Sequence, residues 1–242
     1  MSAADRTLDL IEAFSESGTP LLLPELARRL GAPKSTCFEL VRTLQRRGYV
    51  YSLGQRRGFY PTRRWLWHAE IISANDPAAR ELDPAMEQLR DVTGETVIAG
   101  RLQDNAVVYV AAVEGIHSIR YSTVPGAMKP LHSSAIGKAL LAGFPNLADA
   151  VATLPLQRYT ENTICDPAAL LADLERGRER GYFTTVGENV PEVMAIACGA
   201  QLGGDPIALA VAGPIERIRA AERTIVTALH ASAAQLEVEA RA

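Results

Sequence analysis

Apolar residues in the first quarter of the chain recur every three or four positions, the spacing of short amphipathic helices. One such run covers residues 1–14, and two more lie between residues 24 and 46. Gly31 can end the first helix of this pair, and Pro33 keeps the next segment non-helical. Ser35 is a suitable N-cap for the second helix of the pair. The pattern therefore predicts two short helices that are joined by a tight turn.

This pair has the spacing of a helix-turn-helix, in which the second helix enters the DNA major groove. Two β-prone segments follow, Tyr49–Tyr51 and Gly58–Tyr60, on either side of a polar turn that contains Arg56 and Arg57. A hairpin in this position is the wing of a winged helix, and arginine binds phosphate in a bidentate manner. Taken alone, the segment is also compatible with an ordinary helical hairpin.

The distribution of charge favours the DNA-binding interpretation. Residues 1–68 hold 11 Lys and Arg against 6 Asp and Glu, a net charge of +5, while the remainder holds 14 against 22, a net charge of −8. A basic region on an acidic body indicates nucleic acid at one end only. The start of the chain has acidic residues where a signal peptide needs a basic lead. The sequence also contains no uncharged apolar run that is long enough for a membrane-spanning helix. We therefore expect a cytoplasmic protein with no membrane partner.

The middle of the chain predicts a connecting helix over residues 62–74. Its large apolar residues, Trp65, Leu66 and Ile72, need a partner, and we expect a dimer contact here because DNA-binding helices of this type usually work as dimers. Asn75–Pro77 marks a break. The expected domains are thus a winged helix-turn-helix over 1–61, a linker helix over 62–75 and a second domain over 76–242.

In the second domain, helical and strand patterns are grouped rather than strictly alternating. Such grouping implies an α+β domain with a mainly antiparallel sheet, an architecture that suits a pocket for a small molecule. The predicted helices cover residues 77–93, 133–141, 166–180 and 215–238, and the predicted strands cover 95–102, 106–113, 118–124, 192–202 and 206–211.

Several motifs in chain order resemble the IclR family of bacterial transcription regulators. They are Arg6-Thr7-Leu8, ELARRLG followed by PKST, PLHSSAIGKALLA, and GYFTTVGE with the later segments MAIACGAQL and ALAVAGPI. The resemblance spans essentially the whole chain. It implies an N-terminal winged helix, a linker helix and a GAF-like effector-binding domain with a curved sheet. It also implies homodimers or homotetramers that bind double-stranded promoter DNA and respond to a small-molecule effector; most members repress.

The resemblance also assigns a recognition helix, in which one pair of residues departs from the family. Relatives often carry a basic or polar pair where this chain has Phe38 and Glu39, so we expect a distinct operator in which Arg42 is the best base reader. Phe38 either contacts a thymine methyl group or packs on the wing. The full set of expected DNA-binding residues is Arg28, Lys34, Ser35, Thr36, Phe38, Glu39, Arg42, Arg56 and Arg57.

The effector pocket implied by the resemblance has its own departures. Relatives that bind small keto acids have Ser or Cys at several positions where this chain has alanine, which favours a roomier, more apolar pocket for an aromatic or bulky acid. The start of the helix over 133–141 offers backbone N–H groups to a carboxylate. The alternative is that the alanines only pack beneath helices. The expected pocket residues are Ser118, Tyr121, Ala135, Ile136, Gly137, Thr185, Ala195, Ala197, Ala210 and Ala212.

The alternative function is a small-molecule hydrolase or transferase that uses the PLHSSAIGK segment, because His132 lies beside Ser133 and Ser134 and could pair with either as base and nucleophile. Adjacent residues rarely face each other at a helix start, and neither a nucleophile elbow nor the upstream glycine of a phosphate-binding loop is present. We therefore expect no catalytic residues, with Lys138 a helix-face or pocket charge. Three widely spaced cysteines and four scattered histidines predict no disulfide, no metal site and no cofactor.

Overall fold

The chain divides into two compact units, Met1–Asp76 and Pro77–Ala242, and each has its own buried core. The computed structural model describes residues 2–54 and 57–239. Arg56, one of the expected wing contacts, lies outside the described residues. The separate linker segment over residues 62–75 remains a prediction from the sequence.

The N-terminal unit is a winged helix-turn-helix, as the sequence predicts. Three helices enclose a core in which Leu10, Phe14, Leu26 and Val41 are almost fully buried, because the apolar positions of each helix fall on one face. The elements are α1 (Ala3–Ser17), α2 (Leu23–Arg29), α3 (Lys34–Arg46), β1 (Val50–Ser52), β2 (Phe59–Pro61) and α4 (Arg64–Ala74).

The prediction that Ser35 caps α3 is wrong, because the helix begins one residue earlier at Lys34. Pro33 is the N-cap residue, with φ of −56° and ψ of 145°, and its carbonyl accepts the first helical bond from the Cys37 N–H at 3.1 Å. A residue in this position needs no N–H donor, so proline fits there without loss. Ser35 is thereby an exposed residue of the first helical turn.

The wing is fastened to the rest of the unit by a third chain segment. β1 and β2 pair in antiparallel register, and Leu21 forms an isolated bridge to Phe59 with two backbone bonds of 3.0 and 2.9 Å. Gly58 precedes this bridge with φ of +81°, and a Cβ atom there would overlap the Leu21 carbonyl. The wing therefore requires glycine at residue 58 for its backbone conformation and for the close approach.

The C-terminal unit is built on a six-stranded antiparallel sheet with the strand order β5-β4-β3-β8-β7-β6. Asp104, with φ of 51°, and the Gly203–Gly204 pair form the turns of its two long hairpins. The elements are α5 (Pro77–Thr93), β3 (Thr96–Gln103), β4 (Ala106–Val113), β5 (Met128–Pro130), α6 (Ala135–Leu141), α7 (Leu147–Thr153), α8 (Pro167–Arg180), β6 (Phe183–Val186), β7 (Val193–Leu202), β8 (Asp205–Pro214), α9 (Ile215–Ala220) and α10 (Glu222–Glu239).

Large and small side chains alternate along β7 and β8 and thereby separate two cores. Ile196, Leu209 and Val211 face α5 and α10 and belong to one buried cluster, whereas Ala197 and Ala210 face α6 and belong to the other. Successive residues of a strand point to opposite faces, so this alternation assigns a bulky core to one side of the sheet. The other side keeps room for α6 and the segments around it.

Two of the predicted elements in this unit are wrong. Residues 118–124 form no strand, because side chains rather than a neighbouring strand bind their carbonyl groups: Arg217 donates to the Ile119 oxygen at 2.8 Å, and the Thr96 hydroxyl donates to the Tyr121 oxygen. The final helix over 215–238 is divided at Ala221 into α9 and α10. The sequence also gave no signal for β5, α7 or β6, which are only three to seven residues long.

We expect Gly58→Ala to destabilise the N-terminal unit more than Gly18→Ala, although both glycines have positive φ. Gly18 has nothing within 4 Å of an added Cβ atom, so its substitution costs only backbone strain of about 1 kcal/mol. Gly58→Ala adds the overlap with Leu21 and should cost about 2 kcal/mol more. Urea unfolding of the two variants measures the difference. Equal losses of unfolding free energy in the two variants would mean that the wing can move away from Leu21 at no cost.

Candidate functional site

The exposed face of α3 is the first candidate site. Cys37, Val41 and Leu44 point into the core, which leaves the opposite face of the helix in solvent. Of the six residues predicted to contact DNA from this helix, five are exposed and Thr36 is half-buried; the exposed ones are Lys34, Ser35, Phe38, Glu39 and Arg42. This face is free to enter a groove.

Two residues on this face hold the departure from the family pattern. Phe38 is 46% exposed and is not a member of the core cluster of the unit, so much of its side chain is available to solvent or to a partner. Glu39 lies 3.9 Å from the Arg42 guanidinium, from Oε1 to Nη1, and both side chains are more than half exposed. The best candidate base reader is therefore paired with an acid one helical turn away.

Basic side chains lie on both sides of this helix in the chain. Arg28 is exposed near the end of α2, and Arg57 is exposed in the wing turn, where its backbone N–H donates to the Gly54 carbonyl at 3.1 Å. Neither takes part in an ion pair within the residues that the structure describes. Such free guanidinium groups are the residue type that binds phosphate.

The second candidate site is a cavity in the C-terminal unit between the start of α6, the sheet and two loops. Seven of the ten predicted effector residues line it: Tyr121, Ala135, Ile136, Thr185, Ala195, Ala210 and Ala212. Three predicted residues do not. Ser118 is exposed in the loop after β4, Gly137 packs against the Leu131 backbone with no room for a Cβ atom, and Ala197 is fully buried in the core.

Residues that the sequence analysis missed supply most of the polar chemistry of this cavity. Tyr109 could have been found from the alternation of β4, whereas Lys129 lies on β5, which had no sequence signal, and Asn189 lies in the turn before β7. The missed residues are Ile98, Tyr109, Lys129, Ser133, Ser134, Asn189, Val190 and Val193.

The two tyrosines of the cavity, Tyr109 and Tyr121, are neighbours in its lining. Burial raises the pKa of Tyr109, and the neighbouring Tyr121 raises it further, so Tyr109 is neutral across the physiological range. The Lys129 side chain is half-buried beside them, and no ion pair holds it among the described residues. The cavity thus combines an aromatic lining with one available cation and neutral hydroxyl donors.

The cavity is narrow, which corrects the expectation of a roomier pocket. It encloses only about 40 Å³, and the bulky Tyr109, Tyr121 and Ile136 line it together with the alanines. The N–H groups at the start of α6 are also less free than expected, since the Ser134 hydroxyl already accepts from the Gly137 N–H at 3.1 Å. A larger open groove of about 520 Å³ lies between α5 and α10 and contains none of the predicted residues.

The PLHSSAIGK segment has structural contacts rather than catalytic ones. His132 is buried, with Nε2 2.9 Å from the Gln157 carbonyl, and the Ser134 hydroxyl donates to the Pro130 carbonyl at 2.8 Å. The Ser133 hydroxyl accepts from the Asn189 amide at 3.3 Å. No serine here is bonded to the imidazole, so the base and nucleophile pair is not formed.

The described part of the chain offers neither a metal site nor a membrane-spanning helix. No group of three or more His, Cys, Asp or Glu side chains among residues 2–54 and 57–239 could hold a metal ion. None of the helices in those ranges is long and apolar enough to cross a membrane.

A winged helix-turn-helix followed by a domain with an internal cavity defines a DNA-binding regulator that is able to respond to a ligand. Residues 3–54 match the IclR helix-turn-helix domain, and residues 73–238 match the C-terminal domain of the bacterial transcriptional regulator IclR. The chain belongs to the IclR family of transcription regulators. It is therefore a DNA-binding regulator rather than an enzyme.

Individual relatives agree with this assignment. The chain is 34% identical over 220 residues to the HTH-type transcriptional regulator BhcR of Paracoccus denitrificans, which covers 89% of this chain and 78% of the relative. It is 31% identical over 228 residues to the transcriptional repressor IclR of Escherichia coli K12, covering 88% and 80%. An IclR homolog from Microbacterium hydrocarbonoxydans, solved with 4-hydroxybenzoate, has the same fold with a TM-score of 0.79, 23% identity and 99% coverage of both chains.

The buried His132 predicts a pH dependence of stability. Burial lowers the pKa of this imidazole and the charge of Lys138 lowers it further, against the raising effect of the bond to Gln157. Because the folded pKa is below that of the unfolded chain, the stability that the neutral ring contributes is complete above about pH 6.5 and is lost as the pH falls through the folded value.

We therefore expect the difference in unfolding free energy between the wild type and His132→Gln to shrink below about pH 6.5, with a slope of at most about 1.4 kcal/mol per pH unit. Urea unfolding of both proteins between pH 4.5 and 7.5 measures this difference. The pH dependence that arises from the other titrating groups is common to both proteins and cancels. A difference that is constant with pH would show that the ring does not titrate differently on folding.

Proposed function

We propose that this protein is a repressor that binds promoter DNA as a dimer or tetramer and releases it when an aromatic acid or acid derivative binds the C-terminal cavity. The observation that carries this proposal is the exposed recognition face of α3 in a chain whose second unit holds an aromatic cavity with an available cation. Two relatives are named repressors, IclR and AllR of Escherichia coli, which supports the sign of the regulation.

In the proposed complex α3 lies in the major groove and the wing contacts the backbone. Arg42 reads guanine once it leaves Glu39, which can accept a hydrogen bond from a cytosine amino group, and Phe38 contacts a thymine methyl group. Lys34, Ser35 and Thr36 lie at the start of the helix beside them. Arg28, Arg56 and Arg57 bind phosphate.

The proposed dimer forms through α4, which has no buried residue of its own. One face of α4, which carries Trp65, packs on the rest of the N-terminal unit. The Trp65 indole N–H donates to the Tyr49 carbonyl at 3.0 Å. Other apolar side chains of the helix are largely exposed: Leu66, Trp67, Ile71 and Ile72. A second copy of the same helix would cover them and would place two recognition helices on a palindromic site.

The proposed effector follows from the lining of the cavity. Tyr109 and Tyr121 offer ring surfaces and hydroxyl groups, and Lys129 offers a positive charge to a carboxylate. The relative from Microbacterium hydrocarbonoxydans was solved with 4-hydroxybenzoate, a molecule of this chemical class. Because the free volume is small, the walls must separate to admit an aromatic ring, and binding is coupled to that movement. The protein works in the cytoplasm, where the promoter DNA lies.

Arg42→Ala and Arg57→Ala should affect DNA binding in different ways. Loss of a bidentate base contact costs about 1–3 kcal/mol and relaxes the sequence preference at one position. Loss of a phosphate contact weakens binding to all sequences and reduces the slope of affinity against salt by about one unit. Gel shifts on the upstream region of the gene, at several salt concentrations and with scrambled competitor DNA, distinguish the two variants.

The matched control for this pair is Arg176→Ala, which removes an exposed arginine from the C-terminal unit and should leave DNA binding unchanged. Failure of the wild type to bind any upstream fragment specifically, with or without candidate ligands, would contradict the proposed function. Identical effects of the Arg42 and Arg57 variants would contradict only the assignment of their roles.

An aromatic acid should stabilise the protein more than a short oxo-acid does. We expect 4-hydroxybenzoate to raise the melting temperature of the wild type more than glyoxylate or pyruvate at equal concentration, because a ligand stabilises the folded state according to its affinity. Lys129→Met should abolish most of this increase, while the equally conservative Lys34→Met should not. Greater stabilisation by the oxo-acids would overturn the proposed effector class.

A further inference from the structure

A buried ammonium group joins three elements next to the cavity without lining it. The Lys138 side chain is 1% exposed, and its Nζ lies 2.8 Å from Asp173 Oδ2 on α8 and 2.7 Å from Glu188 Oε1. It also donates to the Thr184 carbonyl on β6 at 3.3 Å. The sequence predicts a helix-face or pocket charge at this residue, whereas the ammonium donates all three of its hydrogen bonds inside the protein.

Glu188 belongs to the turn between β6 and β7, which supplies one wall of the cavity. Asn189 and Val190 follow it directly and line the cavity, as does Val193 at the start of β7. The opposite wall is the start of α6, where Ala135 and Ile136 line the cavity, and Lys138 lies on the next turn of that helix. The Lys138–Glu188 pair therefore connects the two walls.

Few other side-chain contacts connect these walls in the described part of the chain. The hydrogen bond from Asn189 to Ser133 is long, at 3.3 Å. Thr160 and Thr163 bind the backbone carbonyls of Gly187 and Glu188 at 2.6 and 2.7 Å, but they fasten the turn to the segment before α8 and not to α6. The Lys138–Glu188 ion pair, at 2.7 Å, is thus the shorter of the two side-chain bonds between the turn and the segment that begins α6.

The charges around Lys138 make Glu188 the weaker-held carboxylate. One ammonium serves two carboxylates, and Arg176 also binds Asp173, at 3.2 Å from Oδ1. Glu188 has no second cation, and its Oε2 is buried without a partner among the described residues. His132, the nearby imidazole, is kept neutral by burial. A buried carboxylate with one unpaired oxygen is costly, so Glu188 needs Lys138 more than Asp173 does.

We propose that Lys138 is a positioning residue for effector binding, which holds the Gly187–Val193 turn at a fixed distance from the start of α6 through its bond to Glu188. The residues that Lys138 positions are those of the cavity wall. Asn189, Val190 and Val193 keep their positions only while the Lys138–Glu188 pair is intact. The inference rests on the proposed function in so far as the cavity is the effector site.

The test uses the full-length protein with Lys138→Met, which removes the charge, and Glu188→Gln, which keeps the shape and one acceptor. Ile225→Val is the matched control, because it loosens the core on the opposite face of the sheet. Hydrogen exchange of the ligand-free proteins should show amides of residues 187–193 exchanging faster in Lys138→Met by about tenfold or more, the factor expected for loss of a hydrogen bond to a charged group. Glu188→Gln should give a smaller local increase.

A second measurement uses 4-hydroxybenzoate as the probe. Its Kd should rise by about tenfold in Lys138→Met, whereas the affinity of the ligand-free variant for the operator should stay within about twofold of the wild type. The control Ile225→Val should lower the melting temperature without changing either affinity. If Lys138→Met does not fold, Glu188→Gln carries both measurements.

The outcomes separate the two proposals. Exchange that is unchanged at residues 187–193, or increased equally across the sheet, would overturn the positioning role whatever the ligand does. A wild type that binds no aromatic acid but shows the local increase in the variants would overturn the proposed effector and leave the role of Lys138 in place.

Discussion

The close approach of α6 to the sheet is the constraint on which the C-terminal unit depends. Gly137 allows the helix to rest on the Leu131 backbone, and the alanines of β7 and β8 leave room beneath it. Larger side chains on that face would push the helix outward, because packed interiors have no spare volume. The same small residues that allow α6 to approach the sheet also leave the cavity at the start of α6. The packing of the helix and the cavity therefore have the same cause.

The N-terminal unit follows a similar rule at a smaller scale. Gly58 lets the wing approach Leu21, and the bridge from Leu21 to Phe59 then fixes the wing against the helices. In both units a glycine permits one backbone to touch another, and hydrogen bonds or ion pairs hold the contact. The candidate contact groups of both sites are therefore carried on elements that other parts of the unit support.

Sequence periodicity predicted the long elements well and the short ones poorly. The helix over 77–93 and the strand over 106–113 have the predicted bounds, because each repeats its apolar period several times. The segment around Tyr121 has strand-like residues, but its backbone partners are the side chains of Thr96 and Arg217, which are distant in the chain. Seven cavity residues were predictable by resemblance, whereas Lys129 depended on the pairing of β5 with β4, which no local pattern records.

The Glu39–Arg42 pair on α3 bears on how the protein distributes between its operator and the rest of the chromosomal DNA. An acid on the reading face reduces the sequence-independent attraction between this helix and phosphate, which acts at every site in the chromosome. In the proposed complex with a matched operator, Glu39 accepts from a base donor and Arg42 is released to its own base. The affinity for non-specific DNA thus falls more than the affinity for the operator. The ratio of operator occupancy to background occupancy therefore rises. A regulator with a higher ratio occupies its operator with fewer copies per cell.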